Sequence, residues 1–490
     1  MHRKGKRRKG SSGLQSMEEK EAAQGNGGNM TFVTLVSSIA AIGGLLFGFD
    51  TAVVSGAIGF MKLRFDLNEM QVGWAVSSLI VGCILGAAVS GWFSDKFGRK
   101  KVLIAAAVLF VASSVGSAVP ETFAGYAIAR MIGGIGIGIT STLCPLYNAE
   151  IAPAAFRGRL VALNQFATVT GIFLVYFVNT YIAGLGNDAW DIESAWRWMF
   201  GVGVVPGVLF LILLFFVPES PRWLVKQGRA AEALPILIRI HGEAGAKREA
   251  LDIQASFREG EAPLRDLFRP GLRFALFVGV GLAVLQQVTG INAVMYYAPE
   301  IFKQAGAGTN ASLVQTILVG FVNFAFTILA IWLIDKVGRK ALLLAGASLM
   351  AVSLFVIGTA FQTGYLPGGL VLTFILIYVA SFAISLGPVV WVMLSEIFPN
   401  RYRGRATAIA AMSLWIADYV VSQSFPPLLV TAGPGATFYL FALLSVATVL
   451  FTWKAVPETK GKSLEDMEAL WAKPVPQTHA VSASAAPKSV

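Results

Sequence analysis

The sequence is poor in the residues from which soluble catalysts are built. It has two cysteines and three histidines in 490 residues, and 14% of it is charged, where a soluble globular chain carries nearer a quarter. Cys83 and Cys144 both lie in apolar runs, which excludes a disulfide framework and reads as packing. His2, His241 and His479 all fall in polar segments, so a proton carrier inside an apolar one has to be Asp or Glu. No nucleophile–base set, metal-ligand cluster or nucleotide motif is present, which argues against an enzyme and predicts no metal and no cofactor.

Apolar length is what the chain has in abundance. Hydrophobic residues make up 55% and mean hydropathy is +0.66. Size alone suggests two or three soluble domains, but many runs reach roughly 20 residues, enough to cross about 30 Å of hydrocarbon. The runs predict an all-α membrane protein with twelve transmembrane helices, at about 32–60, 71–94, 102–119, 122–148, 160–183, 197–217, 272–304, 312–334, 341–362, 367–397, 405–430 and 435–456. A polar stretch splits them six and six. The expected organisation is a basic N-terminal arm at 1–30, a six-helix bundle at 31–217, a linker at 218–271, a second bundle at 272–456 and a tail at 457–490. Within the linker, "RAAEALPILIRIHG" and "EALDIQASF" read as short amphipathic helices.

The net charge of +11 is an orientation signal and not a nucleic-acid footprint. With the N-terminus inside, 34 Lys and Arg residues fall on the cytoplasmic side. Lys62, Arg64, Arg197 and Lys303 fall outside, and Arg130 lies within the membrane. Such asymmetry places both termini in the cytoplasm. The opening "HRKGKRRKG" lacks the apolar core of a signal peptide. It reads either as an arm touching anionic lipid or as an artefact of start-site choice, since Met17 opens "MEEKEAAQ".

The chain also repeats itself. "DKFGRKKVL" at 95–103 returns as "DKVGRKALL" at 335–343, "AEIAPAAFRGR" at 149–159 as "SEIFPNRYRGR" at 395–405, and "VPESPRWL" at 217–224 as "VPETKGKSL" at 456–464. Three pairs in one order mean a duplicated six-helix unit, and duplicated bundles place a substrate site near the midplane between them. The repeats sit on cytoplasmic edges. Their acids and arginines (Asp95, Arg99, Glu150 and Arg157, then Asp335, Arg339, Glu396 and Arg403) offer Arg–carboxylate pairs. They serve either loop stability alone or a latch that holds one conformation and opens in a transport cycle.

"GxxxDKxGRK" at 91–100 resembles the signature loop of the major facilitator superfamily. Together with "PESPRWL", "QQVTGINAVMYYAPEIF", "PETKG" and the two "E…RGR" motifs, it resembles the sugar porter family over about residues 31–470. The likeness is to bacterial proton–monosaccharide symporters of the xylose, arabinose, galactose or inositol type, and passive glucose carriers share most of the motifs. The resemblance implies a single-chain, monomeric alternating-access carrier in the cell membrane, with a monosaccharide and a proton as its partners and the sugar held mostly by the C-terminal half.

A sugar needs polar donors and acceptors and an aromatic face for its C–H surface. "LQQVTGIN" supplies Gln286, Gln287 and Asn292, followed by Tyr296 and Tyr297. These amides serve either the sugar or interhelical bonding. By resemblance Gln165 and Asn323 line the site, Trp391 and Trp415 form aromatic walls, and Phe47 joins the substrate-binding set. Gly387–Pro388 reads as a flexible point in the tenth span. Two positions depart from the family pattern. Leu414 stands where xylose-type symporters carry a polar residue, and Asp418 stands where members usually carry Asn. Asp418 faces either the cavity or an outer aqueous funnel, and a second titrating site is a further, less favoured reading of it.

Asp50, in "GGLLFGFDTAVVSG", is the only acid in the first span, and Arg130, in "YAIARMIGGIGIG", is the only base in the fourth. Neither recurs in the second half. Placing either at mid-helix costs about 2.5–3.5 kcal/mol, which pairing reduces. The pair is either a permanent lock or a switchable one. In the second case a movement that separates it lets Asp50 take a proton, since Arg hardly ever gives one up. By resemblance the acid is the proton carrier of coupled porters. The alternatives are a proton-independent uniporter with the same pocket and, less favoured for want of a large cytoplasmic domain, a transporter-like sensor.

Overall fold

The structure is a computed structural model that describes residues 28–153, 156–258, 264–269, 271–367, 369–399, 402–462 and Met467. The basic arm before residue 28 and the tail beyond Met467 lie outside the described residues. Every regular element within them is helical. Six long helices come first: α1 (Met30–Phe65), α2 (Glu69–Phe97), α3 (Arg99–Ala118), α4 (Phe123–Ile151), α5 (Arg157–Ala183) and α6 (Asp188–Leu214). The two helices of the linker follow, α7 (Pro221–Lys226) and α8 (Ala230–Arg258). Six more complete the chain: α9 (Leu272–Gln304), α10 (Thr309–Val337), α11 (Arg339–Thr363), α12 (Leu370–Glu396), α13 (Arg403–Thr431) and α14 (Gly433–Ala455). These match the twelve expected spans. Eleven are long and apolar enough to cross a membrane by composition alone. The exception, α13, has the length but carries Asp418, Gln423, three serines and Pro426–Pro427.

Small residues set the tightest packing. Gly82 and Gly86 of α2 lie against the backbone of Met131 and Ile135 on α4. Gly134 and Gly138 return the contact at Leu79 and Cys83, a two-sided small-residue seam of the kind that lets membrane helices touch backbone to backbone. Outward faces carry large apolar side chains such as Phe216, Trp92, Trp332 and Trp453. Cys83 and Cys144 are free and buried, as packing residues should be.

Four of the long helices are broken, and one of them, α6, has a π-helical stretch at Asp191–Ala195 and interrupts at Val202–Gly203. α1 interrupts at Val53, three residues after Asp50. α9 interrupts at Gly290, whose φ of +90° and contact with the Phe441 ring leave no room for a side chain. α12 interrupts at Ser385 (φ −117°, ψ −95°). The sequence pointed to Gly387–Pro388, two residues later. Pro388 instead sits in the first turn of the new helical segment, where its missing N–H costs nothing.

The linker folds as amphipathic helices. α8 bends at Gly242 (φ 74°) and packs with α7 around Trp223, Leu224, Ala233, Leu237 and Ile253. Its Arg239 stacks 3.8 Å over Phe32 at the start of α1, so the linker is docked rather than free.

The repeated "PES" and "PET" motifs turn out to be helix caps. Glu219 accepts from the backbone N–H of Arg99 at 2.9 Å and of Lys100 at 3.2 Å. Glu458 accepts from Arg339 and Lys340, both at 3.0 Å. Each carboxylate occupies the positive end of a helix, α3 or α11. Gly98 (φ 96°) and Gly338 (φ 104°) make the turn between helices, and a Cβ at either would run into the capping glutamate. Burial pushes the Glu458 carboxyl up, but the backbone donors of Lys460, Arg339, Lys340 and Thr459 outweigh it and hold it below the ordinary value. A depressed folded value means the cap stabilises above the unfolded range near pH 4.5 and is lost as acid protonates it. Glu458→Gln should therefore cost about 1 kcal/mol of stability at neutral pH, read as a lower melting temperature, and the deficit should vanish on acidification. A deficit that does not change with pH would refute the charged cap.

Candidate functional site

The buried ion pair lies where α1, α4 and α6 meet. Arg130 Nη1 donates to Asp50 Oδ1 at 2.6 Å, and Nη2 donates to the Asp50 carbonyl at 2.7 Å. The guanidinium also stands 5.0 Å over the Phe200 ring, a residue that sequence reasoning did not flag. Both charged side chains are buried, at 5% and 1% exposure. Arg130 thus has three supports. Asp50 has one, and its Oδ2 has no partner, so one carboxylate oxygen is left able to accept a proton.

The amides of α9 form a relay. Asn292 donates to Gln287 at 2.8 Å, Gln287 donates to Gln286 at 3.3 Å, and Gln286 donates to the carbonyls of Leu386 at 2.6 Å and Gly387 at 3.2 Å. The last two acceptors lie at the α12 break. In return Tyr378 of α12 donates to the Thr289 carbonyl at the α9 break, at 3.0 Å. Each broken helix thus sends a side chain to the other's backbone at its break, and the two irregular regions are tied together at membrane depth. Gln286 is therefore a brace as well as a candidate ligand. Tyr378 carries no sequence signal that would have found it.

The other candidates spread around this relay. Phe47 and Trp415 meet edge to face, with ring centroids 5.6 Å apart. Gln165 and Asn323 come from facing helices, α5 and α10, whose Phe166 and Phe324 rings are in contact at 5.5 Å. Tyr296 is buried, and Trp391 is 41% exposed. Asp418, for which a water-filled funnel was one expectation, is fully buried.

The two halves are held together from mid-membrane towards the edge that is poor in positive charge. There Ser77 donates to Gln423 at 2.6 Å and Gln423 donates to the Met70 carbonyl at 3.0 Å. Tyr176 donates to the Met295 carbonyl at 2.9 Å, and Phe173 packs on Phe321 and Phe324. At the basic edge the charge clusters stay inside their own halves. Arg99 holds Glu150 with two nitrogens, at 2.9 and 3.0 Å, and Asp95 at 2.9 Å. Arg339 holds Glu396 at 2.9 Å and Asp335 at 3.0 Å. Glu150 is thus taken by Arg99. Arg403 turns to the Phe398 carbonyl at 3.4 Å, and the Arg157 side chain lies outside the described residues.

The profile of the Sugar (and other) transporter family matches residues 36–471. The arabinose–proton symporter of Bacillus subtilis is 46% identical over 91% of this chain and 96% of its own length. The D-xylose–proton symporter of Escherichia coli is 45% identical over 90% and 96%. Among solved structures, the inward-open conformation of the xylose transporter XylE from E. coli superposes with a TM-score of 0.80 at 42% identity, covering 90% of this chain and all of that one.

Proposed function

The chain belongs to the sugar transporter family, a multi-pass membrane protein and not an enzyme, and from that premise we propose that it imports a monosaccharide together with a proton by alternating access. The observation that carries the reading is the buried Asp50–Arg130 pair with Asp50 Oδ2 unpartnered. The family context, with arabinose– and xylose–proton symporters at 46% and 45% identity, favours a pentose as cargo. We take the basic edge as cytoplasmic, with both termini on that side, so the gathered contacts at the other edge close the outer mouth.

In this reading a proton from outside reaches Asp50 when a conformational change draws Arg130 away. Arg130 then rests on the Asp50 carbonyl and the Phe200 ring. The sugar lies against the relay of Gln286, Gln287 and Asn292, with Gln165, Asn323 and Tyr296 completing its polar surroundings and Phe47, Trp391 and Trp415 supplying apolar faces. The pair re-forms after both cargoes leave to the cytoplasm. The Arg99 and Arg339 clusters are clamps that hold three helices of each half as one body, rather than a bolt between the halves. Each of these steps is assigned to residues of a single chain in the bilayer, which is the monomeric carrier of this reading.

Reconstitution in liposomes tests the proposal. A panel of pentoses, hexoses and inositol is offered with and without an inward proton gradient. Uphill accumulation of one pentose, only with the gradient, is the expected result. Equal uptake in both conditions would leave a uniporter with the same pocket.

A further inference from the structure

The relay does not end at Asn292. The Asn292 amide faces the Asp418 carboxyl of α13, and Ser422, one turn on, donates to Asp418 Oδ1 at 3.0 Å. The Ser422 carbonyl in turn accepts from Tyr297 at 3.1 Å. Asp418 is 0% exposed and its Oδ2 has no partner. Asp50 has an arginine; Asp418 has only neutral donors, Ser422 and Asn292. A dry carboxylate without a cation is the costly case for a buried charge.

The surroundings are neutral on every side. α2 brings Cys83, and α9 brings Tyr296 and Tyr297 along with Asn292. On α12, Tyr378 is committed to Thr289 and Glu396 to Arg339. On α14, Tyr439 bonds Thr359 and Lys454 stands in the last turn at the basic end. The Arg130–Asp50 pair lies beyond Cys83, which both acids influence.

Position adds the second argument. The α2–α13 contacts that close the outer side, Ser77 and Met70 with Gln423, begin five residues past Asp418 on the same helix. When those contacts part, water reaches the carboxyl. When they close, it is sealed.

We propose that Asp418 is a second proton-binding carboxylate of the transport path, wet when α2 leaves α13 and dry when the gate closes over it, and that its proton sets how Asn292 presents its amide to the sugar. The proton passes from outside water to Oδ2 and leaves by the same oxygen. While charged, Asp418 and Gln287 together occupy both Asn292 N–H groups. Once protonated, Asp418 offers an O–H to Asn292 Oδ1 and frees an N–H for the sugar, whose hydroxyl and ring oxygens accept hydrogen bonds. Sugar then binds more tightly to the protonated form. The inference rests on the symport reading, in which Asp50 is the coupling acid, but the two stand or fall on different variants.

Isothermal titration of L-arabinose and D-xylose into the purified full-length carrier, across the neutral and mildly acidic range, reads the proton directly. Wild type should bind more tightly as pH falls, with a slope of at most about tenfold in Kd per pH unit for each linked proton. Asp418→Asn should flatten that part of the slope, whereas Asp418→Glu should keep it. Ser422→Ala removes a donor to the charged form, so it should move the midpoint of the profile to more alkaline pH, and this variant decides the matter if Asp418→Asn does not fold. A wild-type slope that survives Asp418→Asn unchanged, or a midpoint indifferent to Ser422→Ala, overturns the proposal. If the Asp50 reading fails instead, Asp50→Asn accumulates sugar uphill as wild type does, whatever happens at Asp418.

Discussion

Asp50→Asn should abolish gradient-driven accumulation. A potential of about 100 mV is worth about 2.3 kcal/mol per proton, which sets a ceiling of roughly fifty-fold accumulation for one coupled charge, at about 1.4 kcal/mol per tenfold. Liposomes with the variant should instead equilibrate, with inside and outside sugar equal. The reason is local. Oδ2 of Asp50 is the unpartnered oxygen of the only acid on α1, and an amide there takes up no proton. Asn retains a side-chain oxygen for Arg130 Nη1, and Nη2 retains the backbone carbonyl, so the fold should tolerate the change. Labelled-sugar accumulation against an imposed gradient is the measurement. Uphill transport by the variant would move the coupling proton to another group.

Arg130→Met should do more damage to the fold. It leaves the Asp50 carboxylate at 5% exposure with no cation, and stranding one partner of a buried pair costs about 3–5 kcal/mol. Asp50→Asn strands less, because Arg130 keeps the Asp50 carbonyl and the Phe200 ring. Thermal unfolding in detergent should therefore rank wild type above Asp50→Asn, and Asp50→Asn above Arg130→Met. The double variant Asp50→Asn/Arg130→Met should recover much of the loss of Arg130→Met alone. If the two single losses add in the double variant, the pair contributes no coupling energy and is not the lock described here.

The twelve spans were legible because each needs about twenty apolar residues in a row and the loops between them are short. The Asp50–Arg130 partnership was legible from symmetry, as two unrepeated charges in a repeated chain. The caps left a trace that was read only in part. Glu219 and Glu458 stood out as repeated letters, but their acceptor role depends on a helix start some 120 residues earlier in sequence, which spacing does not show. The same distance hid Tyr378 and Phe200. Gln286 was visible as a polar residue in an apolar helix, yet its partners are main-chain carbonyls about 100 residues away, which spacing does not show. The clamps show the converse limit. Their charges were plain, but whether an arginine reaches across the two halves or within one is a question of geometry. Arg99 and Arg339 reach within.

The outer closure is made mostly of ring contacts (Phe173 with Phe321 and Phe324) and neutral hydrogen bonds (Ser77 with Gln423, Tyr176 with Met295), with Lys303 standing 5.8 Å over the Phe60 ring. Ionic strength has little purchase on a seam of that kind, because salt screens charges and not buried area. Temperature does, because apolar burial carries a large heat-capacity change. The balance between the two facing states of this carrier is in that sense set thermally, while the charges that dominate its sequence motifs keep each half stiff enough to move as a piece.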